Sequence, residues 1–530
     1  MKKNIVFYDT TLREGFQTPG VGATDEERVK IAKLLSDFYR GSAVIEIGMP
    51  ANEVDYTIIQ SVIKQVPGPQ YAFLLRCHDL DVKRAREIFS QYPNNLAHLF
   101  IGTSKQHRDN RFKNKLSIDE YCSLIKQKIR EVSSDTNIKQ IMFSPEDALR
   151  TFWEKGSGNY NGEILSRFID AALEGYIEGN RAVGRVHPII FNLPDTVGIG
   201  TVSQNKEMMR FAKDKYSGRI DLSVHVHDDI NCATASTIDS VMEEEVTYPQ
   251  VAFAGSGERN GIAKAEPVIA ALNENALINL AQDQAKSLTP TARMIAKIMG
   301  INLDPRYPIV GIDANVSTAG VHTQISRKDS STYHFMGEKY GNPVRVVFGT
   351  TSGSDTSAWF LEKNGYQYTQ EQVKKYTDAM KRKANSLKNY LTETEMEIMA
   401  EHFVKERTSN GFRVDDYRVI SQKKSDTAEI TLDVILDGQT HFWAARGVGP
   451  VDATFKLLAE KLGYKDAVLS SYKTVIKGDG EKASEQVMSS VDYNGKTYWG
   501  RGISDDVTKA PVDSVVDAFH NMHFLLNKPN

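Results

Sequence analysis

The sequence predicts an α/β protein: a (β/α)8 TIM barrel, followed by a mixed linker subdomain and a C-terminal α+β domain. Strand-like runs rich in β-branched residues alternate with amphipathic helical stretches through the first half of the chain. Polar or ionisable residues follow every one of these runs. Beyond them the alternation stops, and the last part of the chain has strand-like runs joined by short turns. We therefore expect three regions, at residues 1–290, 291–410 and 411–530.

The barrel prediction is built from eight strand-like runs in chain order. They are Ile5–Thr11, Ala43–Gly48, Tyr71–Arg76, His98–Ser104, Ile138–Ser144, Pro188–Thr196, Asp221–Asp229 and Tyr248–Gly257. Helical patterns lie between them, at Asp25–Phe38, Val54–Val66, Asp81–Tyr92, Ile118–Ser133, Glu163–Gly179 and Ser203–Tyr216. A strand, a crossover helix and a further parallel strand form the repeating unit of such a barrel.

The linker and the C-terminal region have different patterns. Residues 301–365 mix short strand-like runs with Gly and Pro, and residues 370–408 are charged and strongly helical. Farther on we predict two similar halves, each with strands, a tight turn and a helix, which suggests an internal duplication. The turns are Asp437-Gly438-Gln439 and Asn494-Gly495-Lys496, and the helices are Val451–Leu462 and Val512–Leu526. An ordinary α+β domain with common hairpin turns is the alternative.

Composition narrows the class of partner. The 530-residue chain has 65 Lys and Arg against 68 Asp and Glu, a formal charge of −3, so we expect no nucleic-acid partner. No apolar stretch is long enough to cross a bilayer or to act as a secretion signal, so we expect no membrane partner. The 3 cysteines are odd in number and widely spaced, which suits free thiols in the cytoplasm.

Two histidines at the end of the seventh strand indicate a metal site. His225 and His227 are two positions apart, so on a strand they point to the same face. Glu14 follows the first strand, and the carboxyl ends of barrel strands meet in one mouth. Two imidazoles and a carboxylate suit an open catalytic site for a divalent metal. Mn, Mg and Zn all fit, and the imidazoles favour Mn or Zn. Packing of the two histidines in the mouth is the alternative.

Several short motifs together resemble one family of enzymes. They are Asp9–Gly20, Ser144–Asp147, Asn192–Gly198, His225–Asp229, Gly257–Gly261 and Ala319–His322. In combination they are similar to the α-isopropylmalate synthase and homocitrate synthase family, and the likeness covers nearly the whole chain. The resemblance implies a metal-dependent condensation in which acetyl-CoA, as co-substrate, is joined to a 2-oxo acid. It is greatest for the isopropylmalate branch.

The C-terminal region resembles a feedback-regulatory domain of that branch and of citramalate synthases. The likeness is strongest at Gly447–Ala453 and Gly502–Val507. It implies 2-oxoisovalerate as the substrate, 2-isopropylmalate as the product and a role in leucine synthesis. It also implies that the C-terminal domain binds an amino-acid effector such as leucine, and that the enzyme is a homodimer in the cytoplasm.

The resemblance also implies roles for further residues. Arg13 would bind substrate and stabilise the enolate or the developing alkoxide, and Glu146 is the candidate for acid–base work. His322 and Tyr333 would enter the active site from the partner subunit and transfer protons. The remaining substrate-binding candidates are Arg76, His98, Ser144 and Thr196.

Each of these roles has a structural alternative. Arg13 could serve only as an ion-pair partner of Glu46 or Asp9 in the barrel mouth. Thr196 could cap the turn after its strand, and His98 could be a satisfied core histidine. Arg76 could simply neutralise neighbouring acids.

Two departures from the isopropylmalate pattern leave the substrate open. Glu14 stands where those synthases usually carry Asp, and Asn260 precedes Gly261 where their Asn follows that Gly. Both features resemble homocitrate synthases, so 2-oxoglutarate is an alternative substrate, and pyruvate, which gives citramalate, is another. A lyase or aldolase on the same barrel and a catalytically silent amino-acid sensor are alternatives of different classes.

Overall fold

The computed structural model describes most of the chain. The described residues are 4–111, 116–181, 183–317, 336–343, 345–407, 411–421, 427–477 and 484–527. They form two compact units. Among the described residues, the first unit comprises those up to 315 together with 336–343, and the second comprises 316–317 and those from 345 onward. The predicted boundaries at residues 290 and 410 stay predictions.

Eight parallel strands close into a barrel in the order of the sequence, which confirms the predicted fold class. They are β1 (Phe7–Asp9), β2 (Ala43–Glu46), β3 (Gln70–Arg76), β4 (Leu96–Gly102), β5 (Gln140–Glu146), β6 (Ile189–Asp195), β7 (Ile220–Val226) and β8 (Tyr248–Val251). β1 pairs with both β2 and β8, so the sheet has no free edge.

Helices cover the outside of the barrel. They are α1 (Asp25–Tyr39), α2 (Glu53–Gln65), α3 (Asp79–Gln91), α4 (Lys105–Arg111), α5 (Ile118–Ser133), α6 (Ala148–Trp153), α7 (Glu163–Asn180), α8 (Val202–Tyr216), α9 (Ala233–Glu243), α10 (Ala265–Glu274) and α11 (Gln282–Met299). Capping boxes begin α1, α5 and α8, where a Thr or Ser side chain accepts a hydrogen bond from the backbone N–H three residues on.

The inside of the barrel changes from apolar to polar along the strands. An apolar layer of buried residues comprises Tyr8, Val44, Ala72, Leu96, Met142 and Ile190. Because strand side chains alternate with a period of two, the same face is reached again two residues later. On four of these strands the residue at that position is polar and buried: Glu46, His98, Ser144 and Asn192. Inside the barrel, a polar layer therefore lies next to the apolar layer, toward the carboxyl ends of the strands.

The last strand is shorter than the sequence predicts. β8 ends at Val251, whereas we expected it to continue to Gly257. Ala254 and Gly255 have positive φ angles of 59° and 60°, so the chain turns away from the extended ladder there. The strand-eight motif consequently lies on a loop at the mouth of the barrel, and His227 likewise follows the end of β7.

Short elements follow the barrel. They are β9 (Val316–Ser317), α12 (Met336–Lys339), β10 (Arg345–Val346), α13 (Ser354–Lys363), α14 (Gln370–Leu387) and α15 (Glu393–Phe403). β9 and β10 pair in parallel. The helices α13–α15 bury their own apolar cluster, which includes Phe360, Tyr376, Met380 and Met396.

The C-terminal part consists of two similar halves, as predicted. Each half has a three-stranded antiparallel sheet and then a helix. The elements are β11 (Phe412–Ser421), β12 (Ala428–Leu436), β13 (Gln439–Gly447), α16 (Pro450–Lys461), β14 (Val468–Lys477), β15 (Ser484–Tyr493), β16 (Lys496–Ser504) and α17 (Lys509–Leu526). The predicted turns Asp437-Gly438 and Asn494-Gly495 are two-residue hairpin loops with positive φ throughout.

No helix in the described part of the chain is both long enough and apolar enough to cross a membrane.

Candidate active site

Glu14, His225 and His227 come together at the mouth of the barrel. All three are buried, and each offers one ligand atom that lies within 4.8 Å of the other two. The Nε2 atoms of the two histidines are 3.3 Å apart. β1 and β7 are six strands apart along the chain but are both neighbours of β8, so closure of the barrel brings these side chains together.

The chemistry of these donors fits a divalent cation. His225 Nδ1 lies 2.9 Å from Gln250 Oε1, so Nδ1 donates its proton and leaves the Nε2 lone pair free to bind. The buried Nδ1 of His227 has no hydrogen-bond partner in the described structure. The two Nε2 atoms face each other across 3.3 Å, so both would be within reach of one bound cation.

The charges around the three residues favour binding of a cation. Burial opposes ionisation of Glu14, but nearby positive charge, above all that of Arg13, outweighs it and holds the pKa of this carboxyl below its ordinary value. The backbone N–H of Glu258 also donates to Glu14 Oε1 at 3.1 Å. Burial, followed by the neighbouring His227, lowers the pKa of His225 to about 3. The site therefore offers an anionic carboxylate and a neutral imidazole at neutral pH.

A chain of hydrogen bonds continues from Arg13 through the polar layer. Arg13 Nε donates to Glu46 Oε2 at 2.5 Å, and His98 Nδ1 lies 2.8 Å from Glu46 Oε1. His98 Nε2 is 2.7 Å from Ser144 Oγ, which also accepts from Asn192 Nδ2 at 2.7 Å. Both nitrogens of the His98 ring are therefore held, with Nδ1 donating to the carboxylate and Nε2 accepting from the hydroxyl.

The chain of hydrogen bonds returns to His225 from the other side. Ser223 Oγ donates to Asn192 Oδ1 at 3.1 Å, and Gln250 Nε2 donates to Ser223 Oγ at 3.3 Å. Since Gln250 points its amide nitrogen at Ser223, its oxygen must face His225. The polar layer thus fixes the orientation of the imidazole that it touches.

A cavity of about 220 Å³ opens beside these residues. Its polar lining includes Arg13, Glu14, His98, Ser144, Glu146, Thr196, His225 and His227. Its apolar lining comprises Met49, Leu74, Phe100 and Pro194. The cavity is large enough for a small acid and is lined by both apolar and ionisable side chains.

Comparisons with known proteins identify the family of this chain. A family model described as HMGL-like matches residues 4–295, more than half of the chain. The chain belongs to the HMGL-like family. A second model, described as the LeuA allosteric (dimerisation) domain, matches residues 390–523 of this HMGL-like protein.

Curated relatives agree with the family models over nearly the full length. The 2-isopropylmalate synthase of Pyrococcus furiosus is 29% identical and the alignment covers 98% of this chain and 100% of the relative. The enzyme of the same name from Pyrococcus abyssi is 30% identical, with 96% and 99% covered. That of Rhodopirellula baltica is 28% identical, with 98% and 94% covered. The predicted family resemblance is confirmed, as is the prediction of an acyltransferase-type enzyme.

The HMGL-like barrel brings most of the residues singled out in the sequence to one cavity, but Arg76 is not among those lining it. Its guanidinium instead pairs with the buried Asp81, with Nη2 and Oδ2 2.9 Å apart. Thr196 lines the cavity and also accepts a hydrogen bond at 2.9 Å from the backbone N–H of Asp147. His322 and Tyr333 lie outside the described residues.

Two functional contacts were missed in the sequence. Gln250 and Asn192 lie in the polar layer of the HMGL-like barrel and orient His225 and Ser144. Asn192 is the first residue of the strand-six motif, so the sequence did contain a signal for its role. Gln250 follows Pro249 in a short strand, and only counting two residues beyond the apolar layer on β8 would have singled it out.

Proposed function

We propose that this enzyme condenses acetyl-CoA with 2-oxoisovalerate to form 2-isopropylmalate in leucine synthesis. The observation that supports this most directly is the convergence of Glu14, His225 and His227 beside a cavity that has apolar residues in its lining. The relatives named 2-isopropylmalate synthase support it independently. The cytoplasm is the proposed compartment.

The donor set of Glu14, His225 and His227 would hold Mn, Mg or Zn, and the imidazoles favour Mn or Zn. When bound, such a cation would act as a Lewis acid on the carbonyl group of the 2-oxo acid. Gln250 keeps the His225 ring turned so that Nε2 faces the site.

The other side chains that line the cavity have separate proposed roles in the reaction. Arg13 stabilises negative charge that develops on oxygen, and Glu46 holds its guanidinium in place. Thr196 offers its hydroxyl group to the substrate carboxylate, whereas Ser144 lines the cavity with its hydroxyl donating to His98.

Glu146 takes a proton from the methyl group of acetyl-CoA, and the resulting carbanion attacks the keto carbon, whose oxygen becomes an alkoxide. The alkoxide then takes a proton from the His322 and Tyr333 pair proposed below. Water then hydrolyses the thioester and releases CoA.

The apolar residues that line the cavity favour a branched aliphatic substrate. Met49, Leu74, Phe100 and Pro194 suit an isopropyl group, which gains from leaving water. A second carboxylate, as in 2-oxoglutarate, would need a cation opposite it. Among the described residues that line the cavity, Arg13 is the only arginine or lysine, and it already pairs with Glu14 and Glu46.

We further propose a homodimer in which His322 and Tyr333 of each subunit serve the other's active site in proton transfer. The LeuA allosteric (dimerisation) domain match supports assembly and regulation through the C-terminal part. The proposed effector there is an amino acid such as leucine.

A substrate panel tests the proposal. Purified enzyme with acetyl-CoA and Mn, Mg or Zn is given 2-oxoisovalerate, pyruvate or 2-oxoglutarate, with and without leucine, and free CoA is measured. We expect the fastest release with 2-oxoisovalerate, inhibition by leucine, and loss of turnover in H227A or with a chelator. Faster release with pyruvate or 2-oxoglutarate would assign citramalate or homocitrate synthesis instead. Absence of CoA release with every acid would favour a lyase or aldolase.

A further inference from the structure

An ionisable cluster beside Glu146 has no role in the reaction described so far. His107, on the first turn of α4, projects toward the end of β5. Its Nδ1 lies 3.2 Å from Asp147 Oδ2 and 2.9 Å from Ser104 Oγ, while its Nε2 is 3.9 Å from Glu146 Oε1. The two ring nitrogens therefore face different carboxylates, one of which lines the cavity.

The local backbone is built to keep this imidazole in place. A Cβ at Gly102 would come within 2.7 Å of His107 Cδ2, so the ring packs against the backbone where β4 ends. Asp147 is buried and has a left-handed backbone (φ 64°), which turns its carboxylate toward His107. Arg150 Nε also donates to Asp147 Oδ2 at 2.7 Å and anchors it from α6.

We propose that His107 is a positioning residue for the proposed condensation, one that keeps Glu146 ionised and aimed into the cavity. Since Asp147 accepts from Nδ1–H, the second proton of the charged ring lies on Nε2, the atom nearest Glu146. This inference rests on the proposed function, in which Glu146 takes the methyl proton of acetyl-CoA. A base that removes a proton from carbon must itself be unprotonated, and a cation about 4 Å away favours that form.

The charges that face His107 are consistent with this role. The hydrogen bond to Asp147 raises the pKa of the His107 imidazole, burial opposes this, and the negative charges of Glu146 and Asp147 add to the rise. Arg150, the cation facing the same cluster, opposes it more weakly. The ring is 27% exposed, so protons can exchange with solvent.

The experiment compares H107Q and H107K with the wild type, and with H187Q as the control because His187 is exposed and outside the cavity. The readouts are the pH dependence of kcat/KM for acetyl-CoA and the kinetic isotope effect with methyl-deuterated acetyl-CoA. In H107Q we expect the acid limb of the profile to move up by roughly 1 pH unit, since the favourable charge is lost. The isotope effect should increase, and H107K should restore part of the limb.

The outcomes separate this inference from the proposed function. If the wild type releases CoA but the H107Q profile keeps its acid limb, or if H107K and H107Q behave alike, His107 does not act on Glu146. A melting temperature of H107Q close to that of the wild type would show that any loss is not a folding defect. If H107Q fails to fold, the test rests on the pH profile of H107K, which keeps a cation at this position. An acid limb that moves up in H107K as far as expected for a lost cation would contradict the inference. If the wild type releases no CoA with any 2-oxo acid, the proposed function fails and this inference fails with it.

Discussion

At the scale of single residues, the site depends on which atom of each side chain is already engaged. Gln250 is the clearest case, because its amide nitrogen donates to Ser223 and its oxygen is thereby directed at His225 Nδ1. The tautomer of His225 follows from that one orientation. Gln250 therefore determines whether the Nε2 lone pair of His225 is free.

We predict that Q250L weakens metal binding about 10- to 100-fold, since Nδ1 loses its acceptor and the ring its orientation. Titration calorimetry with Mn²⁺ or Zn²⁺ on the substrate-free enzyme measures this directly. Q250E keeps an acceptor and is the matched control, for which we expect affinity within a few-fold of the wild type. Equal affinities for Q250L and the wild type would show that Gln250 does not orient the ligand.

Glu266 provides a second prediction, on pH and stability. Its carboxyl is buried and accepts from the backbone N–H of Ala254 at 2.9 Å and from the Tyr307 hydroxyl at 3.1 Å. Burial raises the pKa of Glu266 to about 7 from its ordinary 4.5. The folded state thus holds this proton more tightly than the unfolded chain. Stability from this group is full below the unfolded pKa and is lost as pH rises toward 7.

A glutamine at position 266 (Glu266→Gln) cannot ionise. The variant should therefore not show this pH-dependent loss of folding stability, which is about 3 kcal/mol. We expect the melting temperature of E266Q relative to the wild type to rise between pH 5 and pH 8 by several degrees, as measured by scanning fluorimetry. Glu26, an exposed glutamate of α1, gives the control E26Q. Parallel curves for E266Q and the wild type would contradict the prediction.

At the scale of elements, close approaches of backbone to backbone decide where glycine is needed. Gly500 and Gly502 lie on the same face of β16, under α17. A Cβ at Gly502 would meet Ala510 O at 2.0 Å, and one at Gly500 would meet Ala518 N at 2.1 Å. The helix can pack this closely only because both side chains are absent.

Gly502→Ala should therefore push α17 away from its sheet and destabilise the C-terminal unit by about 1–3 kcal/mol or more. Gly449→Ala is the matched control, because its backbone is extended and open space surrounds the site of its Cβ. Calorimetry of the full chain would show a transition lowered in G502A and unchanged in G449A. Equal melting of the two variants would mean that the contact relaxes freely.

The sequence predicted the order and type of the barrel elements, because each run carries its own period of apolar residues. It overestimated β8, where the positive φ angles of Ala254 and Gly255 end the ladder. The early end of β8 depends on close backbone contacts within the loop that follows it. A Cβ on Gly261, for example, would lie 1.8 Å from Gly255 O.

At the scale of the whole molecule, the proposed assembly makes a prediction about shared active sites. If His322 of one subunit serves the barrel of the other, H225A and H322A should complement each other after mixing and refolding. In a mixed dimer one site then carries both defects and the other carries none. Random pairing should restore roughly a quarter of the wild-type CoA release. No activity above that of the separate variants would show that each barrel uses its own His322.

What the sequence alone determined is the set of chemical groups and the strand that presents each one. The spacing of His225 and His227 put both on one face, and the motifs named the carboxylates and hydroxyls of the mouth. These features are local, since they depend on residues close together in the chain.

Only the tertiary structure decided which of these groups meet and which are already engaged. It directed Arg76 to Asp81 and gave Arg13 two carboxylate partners, and it placed His107 between Asp147 and Glu146. The physical reason is closure of the barrel. The distances between side chains on different strands are fixed by strand register and by hydrogen bonds across the sheet, and neither is encoded in any single segment.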